Sequence, residues 1–204
     1  MLRAVIHGLA LAIPLIMPLG AQNIFVFNQG ARQARFLQAL PVVITAGICD
    51  TILITLAVTG VSVIVLTSVW LKSLLLGIGT VFLVYIGWLT WHSNPAIQRE
   101  DTVTTLSAGK QVLFAVSVSL FNPHAIVDTI GVIGTNSLYY SGEAKLAFTL
   151  ATISVSWVWF FLLAVSGKVT GRLDQSGRVL RVVNKFSAVV MWTVAVYLVR
   201  SLFY

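Results

Sequence analysis

The chain has 204 residues, of which 58% are hydrophobic and only 9% charged, with thirteen Lys/Arg, six Asp/Glu and a formal net charge of +7. A soluble domain carries about 25% charged residues to cover its surface, so a soluble enzyme, a disordered tail and a nucleic-acid binder are excluded. The basic residues lie in short gaps between apolar runs, as membrane topology asks, and the one cysteine, Cys49, supports no disulfide framework, redox pair or thiolate metal site.

A helix crosses a hydrocarbon core of about 30 Å with about 20 mostly apolar residues. Six stretches satisfy this, at roughly 4–27, 39–66, 70–91, 111–133, 146–167 and 183–203. The expected protein is therefore an all-α integral membrane protein in one transmembrane domain. The first run follows Arg3 as a signal peptide would, but no A-x-A-like site follows it. Pro14, Pro18, Gly20, Gln22 and Asn23 interrupt this run, and so many breakers in ten residues cannot form an undisturbed helix. Unwound backbone at that depth needs protein or a wet cavity around it. Its freed amides suit an anionic group such as a carboxylate; a kink satisfied by neighbouring side chains is the alternative.

Span two carries Asp50 near its middle, and Thr51, Thr55 and Thr59 form an i, i+4 stripe one turn after Gly47, which reads as helix packing. Trp70, Trp88 and Trp91 lie near the ends of span three, where indoles anchor at the interface. The polar interval from His92 to Lys110 then divides the chain. Repeat one covers about 1–91, a cytoplasmic linker 92–110, and repeat two about 111–204. Three spans in each half make the halves upside down relative to each other, the arrangement of inverted-repeat transporters. Pro18-x4-Asn23 in span one echoes Pro123-x4-Asp128 in span four, the first span of each half.

Span four contains Phe121-Asn122-Pro123-His124-Ala125-Ile126-Val127-Asp128. Proline breaks a continuous helix here, and Asn-Pro is a good cap and first-turn pair for a half-helix that begins at Asn122. His124 and Asp128 then share one face, four residues apart, and a carboxylate beside an imidazole is a candidate proton relay; a histidine satisfied by helix packing is the alternative. In span five Trp157 and Trp159 sit deep and read as packing residues.

Glu100, Asp101, Glu143 and Asp174 fall in loops and read as solvated. Asp50 and Asp128 differ: an aspartate at the bilayer centre costs about 2.5–3.5 kcal/mol, so each should face a cavity or a partner. Lys72 and Lys110 lie near span ends and snorkel, which leaves the two carboxylates awaiting a cation from outside the chain. The loops after spans one, three and five hold nine Lys/Arg, including Arg32, Arg35, Lys168 and Arg172; the rest of the outer segments hold four. The positive-inside rule puts those loops in the cytoplasm and both termini outside. No H-E-x-x-H, G-x-S-x-G or P-loop is present, so no hydrolase or ATPase is expected.

Pro18-Leu19-Gly20-Ala21-Gln22-Asn23, continued as Ile24-Phe25-Val26-Phe27-Asn28-Gln29-Gly30, resembles the first-helix signature of the LysE family of amino-acid exporters. Cys49-Asp50, Asn122-Pro123-His124 with Asp128, and Met191-Trp192 are similar to its later motifs, and the resemblance spans the chain. The Pro-x-Gly-x-Gln-Asn form resembles the lysine and arginine branch, with one departure at Ala21, where arginine exporters often carry proline. The resemblance implies export of arginine or lysine across a bacterial cytoplasmic membrane, with no cofactor. Asp50 and Asp128 would then receive the cationic groups, and Gly20, Gln22, Asn23 or the Asn122 half-helix the α-carboxylate. Moving one positive charge outward against an inside-negative potential costs about 2.3 kcal/mol per 100 mV, so exchange for a proton at Asp50 or Asp128, with His124 as relay, is the expected coupling. An inorganic cation or metal transporter built on the same aspartates is the alternative, with only His124 beside them as a good transition-metal ligand. A non-transporting subunit is a further one. Six short spans either close a cavity alone or need a second copy of the chain.

Overall fold

The computed structural model describes residues 1–18, 20–60, 69–93, 106–120, 125–126, 129–174 and 177–203. Among them the regular elements are all helical: α1 (Leu2–Ile16), α2 (Ala21–Arg32), α3 (Leu40–Val58, entered through a 3-10 turn at Phe36–Ala39), α4 (Val69–His92), α5 (Ala108–Leu120), a π turn (Thr129–Gly134) leading into Thr135–Ser137, α6 (Gly142–Leu173) and α7 (Arg178–Phe203). Phe36–Val58, Gly142–Leu173 and Arg178–Arg200 are long and apolar enough to cross a membrane; α1 and α2 meet the same measure only when taken together, and they are bent by 78° at the break between them. Leu76–His92 and Ala108–Leu120 are shorter apolar helices. The chain is a multi-pass membrane protein.

The bend is written in span one. Pro18 has no N–H and disfavours helix at Met17, so α1 stops at Ile16 and α2 restarts after Gly20, whose backbone is extended (ψ −178°). Pro14, inside α1, is tolerated. α3 ends at Val58, and Gly60 takes φ +87°, the left-handed conformation that glycine adopts without penalty after a helix; positions 61–66 of the expected span lie outside the described residues.

The structure corrects three readings of the sequence, at the end of α6, at Asp174 and at Trp157. Lys168 and Arg172, assigned to a loop, lie on the last turns of α6, which at 32 residues is about 48 Å long. An apolar stretch marks only the part of a helix inside the hydrocarbon; the polar turns beyond it continue the same helix. Lys168 Nζ donates to the carbonyls of Gln33 and Ala34, just past the end of α2, and so caps that terminus. Asp174, read as solvated, is buried and accepts from the backbone N–H of Arg178 (3.1 Å), Val179 (2.7 Å) and Leu180 (3.3 Å) at the start of α7. It offsets the orphan donors of that helix.

α6 is the central helix, packed on α2, α1 and α3; α4 pairs with α7, and α3 also packs on α5 and the π turn. Lipid tails are as apolar as the side chains, so helices associate through close packing rather than a hydrophobic drive. The α2–α6 crossing depends on this. A Cβ at Gly30 would strike the backbone of Ala164, and one at Gly167 or Gly171 the backbone of Phe27 or Ala31. Trp157 was expected to pack in the core. Instead it lies at the outer edge of the α3–α6 contact, with its ring against Gly47 and its indole N–H donating to Thr51 Oγ1 at 3.1 Å.

Candidate functional site

The bend opens a cavity of about 130 Å³, where one water needs roughly 10–15 Å³. α1 and the bend contribute Leu15, Ile16, Pro18 and Gly20, and the first turn of α2 contributes Ala21, Gln22 and Asn23. Asp50 and Ile54 come from α3, Ala125 from the stretch after α5, Thr129 and Ile133 from the π turn, and Phe160 from α6. Leu83 of α4 with Val190, Met191 and Val194 of α7 complete the wall.

One amide holds the bend open. Asn23 Nδ2 donates to Ile16 O at 2.7 Å and to Pro18 O at 2.6 Å, and Gly20 N–H adds a bond to Pro18 O at 2.8 Å. The carbonyls of Ile16 and Pro18, two of those freed by the break, are thus satisfied inside the protein, as unwound backbone in a membrane requires. The N–H groups that start α2 have no side-chain cap and belong to residues that line the cavity. Nothing lies within 4 Å of the point where a Cβ on Gly20 would stand. Orphan N–H groups and the positive end of the helix dipole make this a place for a carboxylate.

Asp50 supplies the opposite sign. Gln22 Nε2 donates to its Oδ1 at 3.0 Å and Ser156 Oγ to its Oδ2 at 2.9 Å. A carboxylate has about four lone-pair directions, so each oxygen keeps capacity for a cation. Among the described residues no three His, Cys, Asp or Glu side chains come together, and Asp50 is the acidic group on the cavity wall. Helix N-terminus and carboxylate in one cavity can hold both ends of a zwitterion.

Of the residues singled out in the sequence, Pro18, Gly20, Gln22, Asn23 and Asp50 meet here. Asn122, Pro123, His124 and Asp128 lie outside the described residues; from the same segment, Ala125 and Thr129 line the cavity. Sequence reading missed Ser156, since a serine in a spanning helix is an ordinary packing residue and its partner lies 106 positions away. It missed the apolar wall as well, where only Met191 belonged to a quoted motif.

Residues 13–202 match the family model described as LysE type translocator. The chain is 51% identical to the "Putative amino-acid transporter YisU" of Bacillus subtilis (strain 168), over 99% of this chain and 91% of that one. It is 34% identical to the arginine exporter protein ArgO of Pectobacterium carotovorum subsp. carotovorum (strain PC1), over 98% of both chains. The identity to ArgO of Escherichia coli O157:H7 is 32%, over 96% of this chain and 92% of the relative. No solved structure matches.

Proposed function

The chain belongs to the LysE type translocator family, and from that premise we propose that it exports basic amino acids, arginine or lysine, from the cytoplasm of a bacterium in exchange for protons. The observation that carries this reading is the cavity at the bend, where the uncapped start of α2 and the Asp50 carboxylate border the same space. The α-carboxylate binds at Gly20 to Asn23, and Asp50 takes a cationic group. Asp128 is the second carboxylate of the site, on a half-helix that starts at Asn122 with Pro123, and His124 passes its proton. The relatives named as arginine exporters support arginine as the substrate.

The coupling follows from charge. Outward uniport of a cation opposes an inside-negative potential by about 2.3 kcal/mol per 100 mV; one-for-one exchange with a proton is electroneutral. A carboxylate that holds either a proton or the substrate cation makes the exchange direct, and no enzymatic step is needed.

The architecture proposed with this function is six spans in two inverted repeats, about 1–91 and 111–204, joined by a cytoplasmic linker 92–110, with both termini outside. Helix packing supports it. Exchanging the halves turns span one against span five into span four against span two, and leaves three against six and two against five unchanged. α1–α2 on α6, α5 and the π turn on α3, α4 on α7, and α3 on α6 are those contacts.

The test is counterflow in proteoliposomes, preloaded with unlabelled arginine, lysine or a neutral amino acid, with labelled arginine outside. Accumulation with arginine or lysine, driven further by a pH gradient, is expected. The reading fails if no amino acid supports accumulation in folded protein, and proton antiport fails if Asp50→Asn and Asp128→Asn both transport with unchanged rate and pH dependence.

A further inference from the structure

Asp50 is held from behind by a group outside the cavity. Ser156 on α6 is 0% exposed and does not line the cavity. Its helix neighbours Thr149, Thr152 and Ser154 each direct their hydroxyl to the carbonyl four residues back, the usual choice for a hydroxyl in a helix. Ser156 instead reaches across to Asp50 Oδ2.

The consequence is orientational. The terminal torsion of an aspartate is broad, so one donor leaves the carboxylate free to swing. Here Gln22 on α2 holds one oxygen and Ser156 on α6 the other, which fixes the plane of the group between two helices. The neighbouring bond from Trp157 to Thr51 and the contact of its ring with Gly47 lock the register of α6 on α3 beside it. Asp50 and Ser156 are 106 positions apart, close to the 105 that separate Pro18 from Pro123. The bond therefore joins near-equivalent positions of the two halves, where the one half offers a carboxylate and the other a hydroxyl.

We infer that Ser156 is a positioning residue that sets the preference of the cavity for cationic over neutral substrates, by holding the Asp50 carboxylate in the orientation an incoming cation meets. This rests on the assignment of Asp50 as the cation acceptor. Preorganised donors of this kind act through the group they hold, without touching the ligand.

The experiment compares arginine with citrulline, its neutral isostere, as competitors of labelled arginine counterflow in the full chain, the Ser156→Ala variant and the Ser156→Cys variant. The unaltered protein should prefer arginine. Ser156→Ala should lower the arginine-to-citrulline preference about tenfold, through weaker arginine competition alone, with citrulline competition unchanged and only the small drop in unfolding temperature that the loss of one interhelical hydrogen bond brings. Ser156→Cys, with a weak donor of similar size, should fall between. An unchanged preference in Ser156→Ala, or an equal loss for both competitors, overturns the inference. Equal competition by arginine and citrulline in the unaltered protein overturns the assignment of Asp50 itself.

Discussion

The cavity has two unlike walls. On one side α2, α3 and α6 bring uncapped backbone N–H groups, two amides and a carboxylate, linked by hydrogen bonds of 2.6–3.0 Å. On the other, α4 and α7 bring Leu83, Val190, Met191 and Val194, with no charged side chain from these helices among the described lining residues. The polar wall belongs to the broken span and the helices that pack on it, whereas the apolar wall belongs to two unbroken helices that pair with each other. A substrate with two charged ends and an aliphatic stem fits such a division: under the proposed function the ends would be read at the bend and the stem would lie against α4 and α7. Changes to the charged group of the polar wall should therefore alter affinity and specificity, whereas changes to the bend or to the apolar wall should alter stability.

The largest effect is expected from Asp50→Asn. Removing one partner of a buried charge pair costs about 2–5 kcal/mol, so arginine competition in counterflow should weaken by at least about thirtyfold. Asparagine still accepts from Gln22 or Ser156, so the unfolding temperature should change little. Retention of near-normal arginine affinity would remove the polar wall from recognition.

Next comes Asn23→Ala, which tests the bend rather than the charge. It strips the carbonyls of Ile16 and Pro18 of the Nδ2 donor they share. A buried polar group left unpaired costs about 1–3 kcal/mol, and Pro18 O keeps the Gly20 N–H. A loss of about 2 kcal/mol in stability is expected, read as a lower unfolding midpoint, with slower transport as α2 loses its fixed start.

The polar wall was legible in the sequence and the apolar wall was not, for physical reasons. Pro18, Gly20, Gln22, Asn23 and Asp50 are each anomalous in a spanning helix, so each announces a broken backbone or a cavity. Leu83, Val190 and Val194 are what any spanning helix carries, and only three-dimensional packing decides which face of α4 or α7 looks inward. The ends of the helices were poorly legible for a related reason. Hydropathy marks the part of α6 in hydrocarbon and is blind to the turns that carry Lys168 and Arg172. Asp174 looked like a loop acid because nothing local says that the chain folds its carboxylate back onto the start of α7.

Met191→Ala probes the apolar wall. Met191 is 2% exposed and packs in the cluster that joins α2, α4 and α7. Truncating a buried methionine costs about 2–5 kcal/mol; the low end is expected, because the side chain borders a cavity on one side and has fewer contacts to lose. The unfolding midpoint should drop while arginine and citrulline competition each change by less than about threefold, their ratio staying constant. A shift in that ratio would mean that the apolar wall, too, reads charge.

The smallest effect should follow Thr51→Val, on the outer edge of the polar wall. Valine keeps the shape of threonine and removes the acceptor of the Trp157 indole N–H. Hydrogen bonds between membrane helices average about 0.6 kcal/mol, and the ring of Trp157 still rests on Gly47, so stability should fall by about that amount. Asp50 and its two donors are untouched, which predicts an unaltered arginine-to-citrulline ratio. Because Thr51 and Asp50 are neighbours in sequence and Trp157 and Ser156 are too, this variant separates two ways of orienting the carboxylate. If Thr51→Val lowers the ratio as far as Ser156→Ala does, the register of α6 on α3 orients Asp50; if it leaves the ratio intact, the Ser156 hydroxyl does so itself.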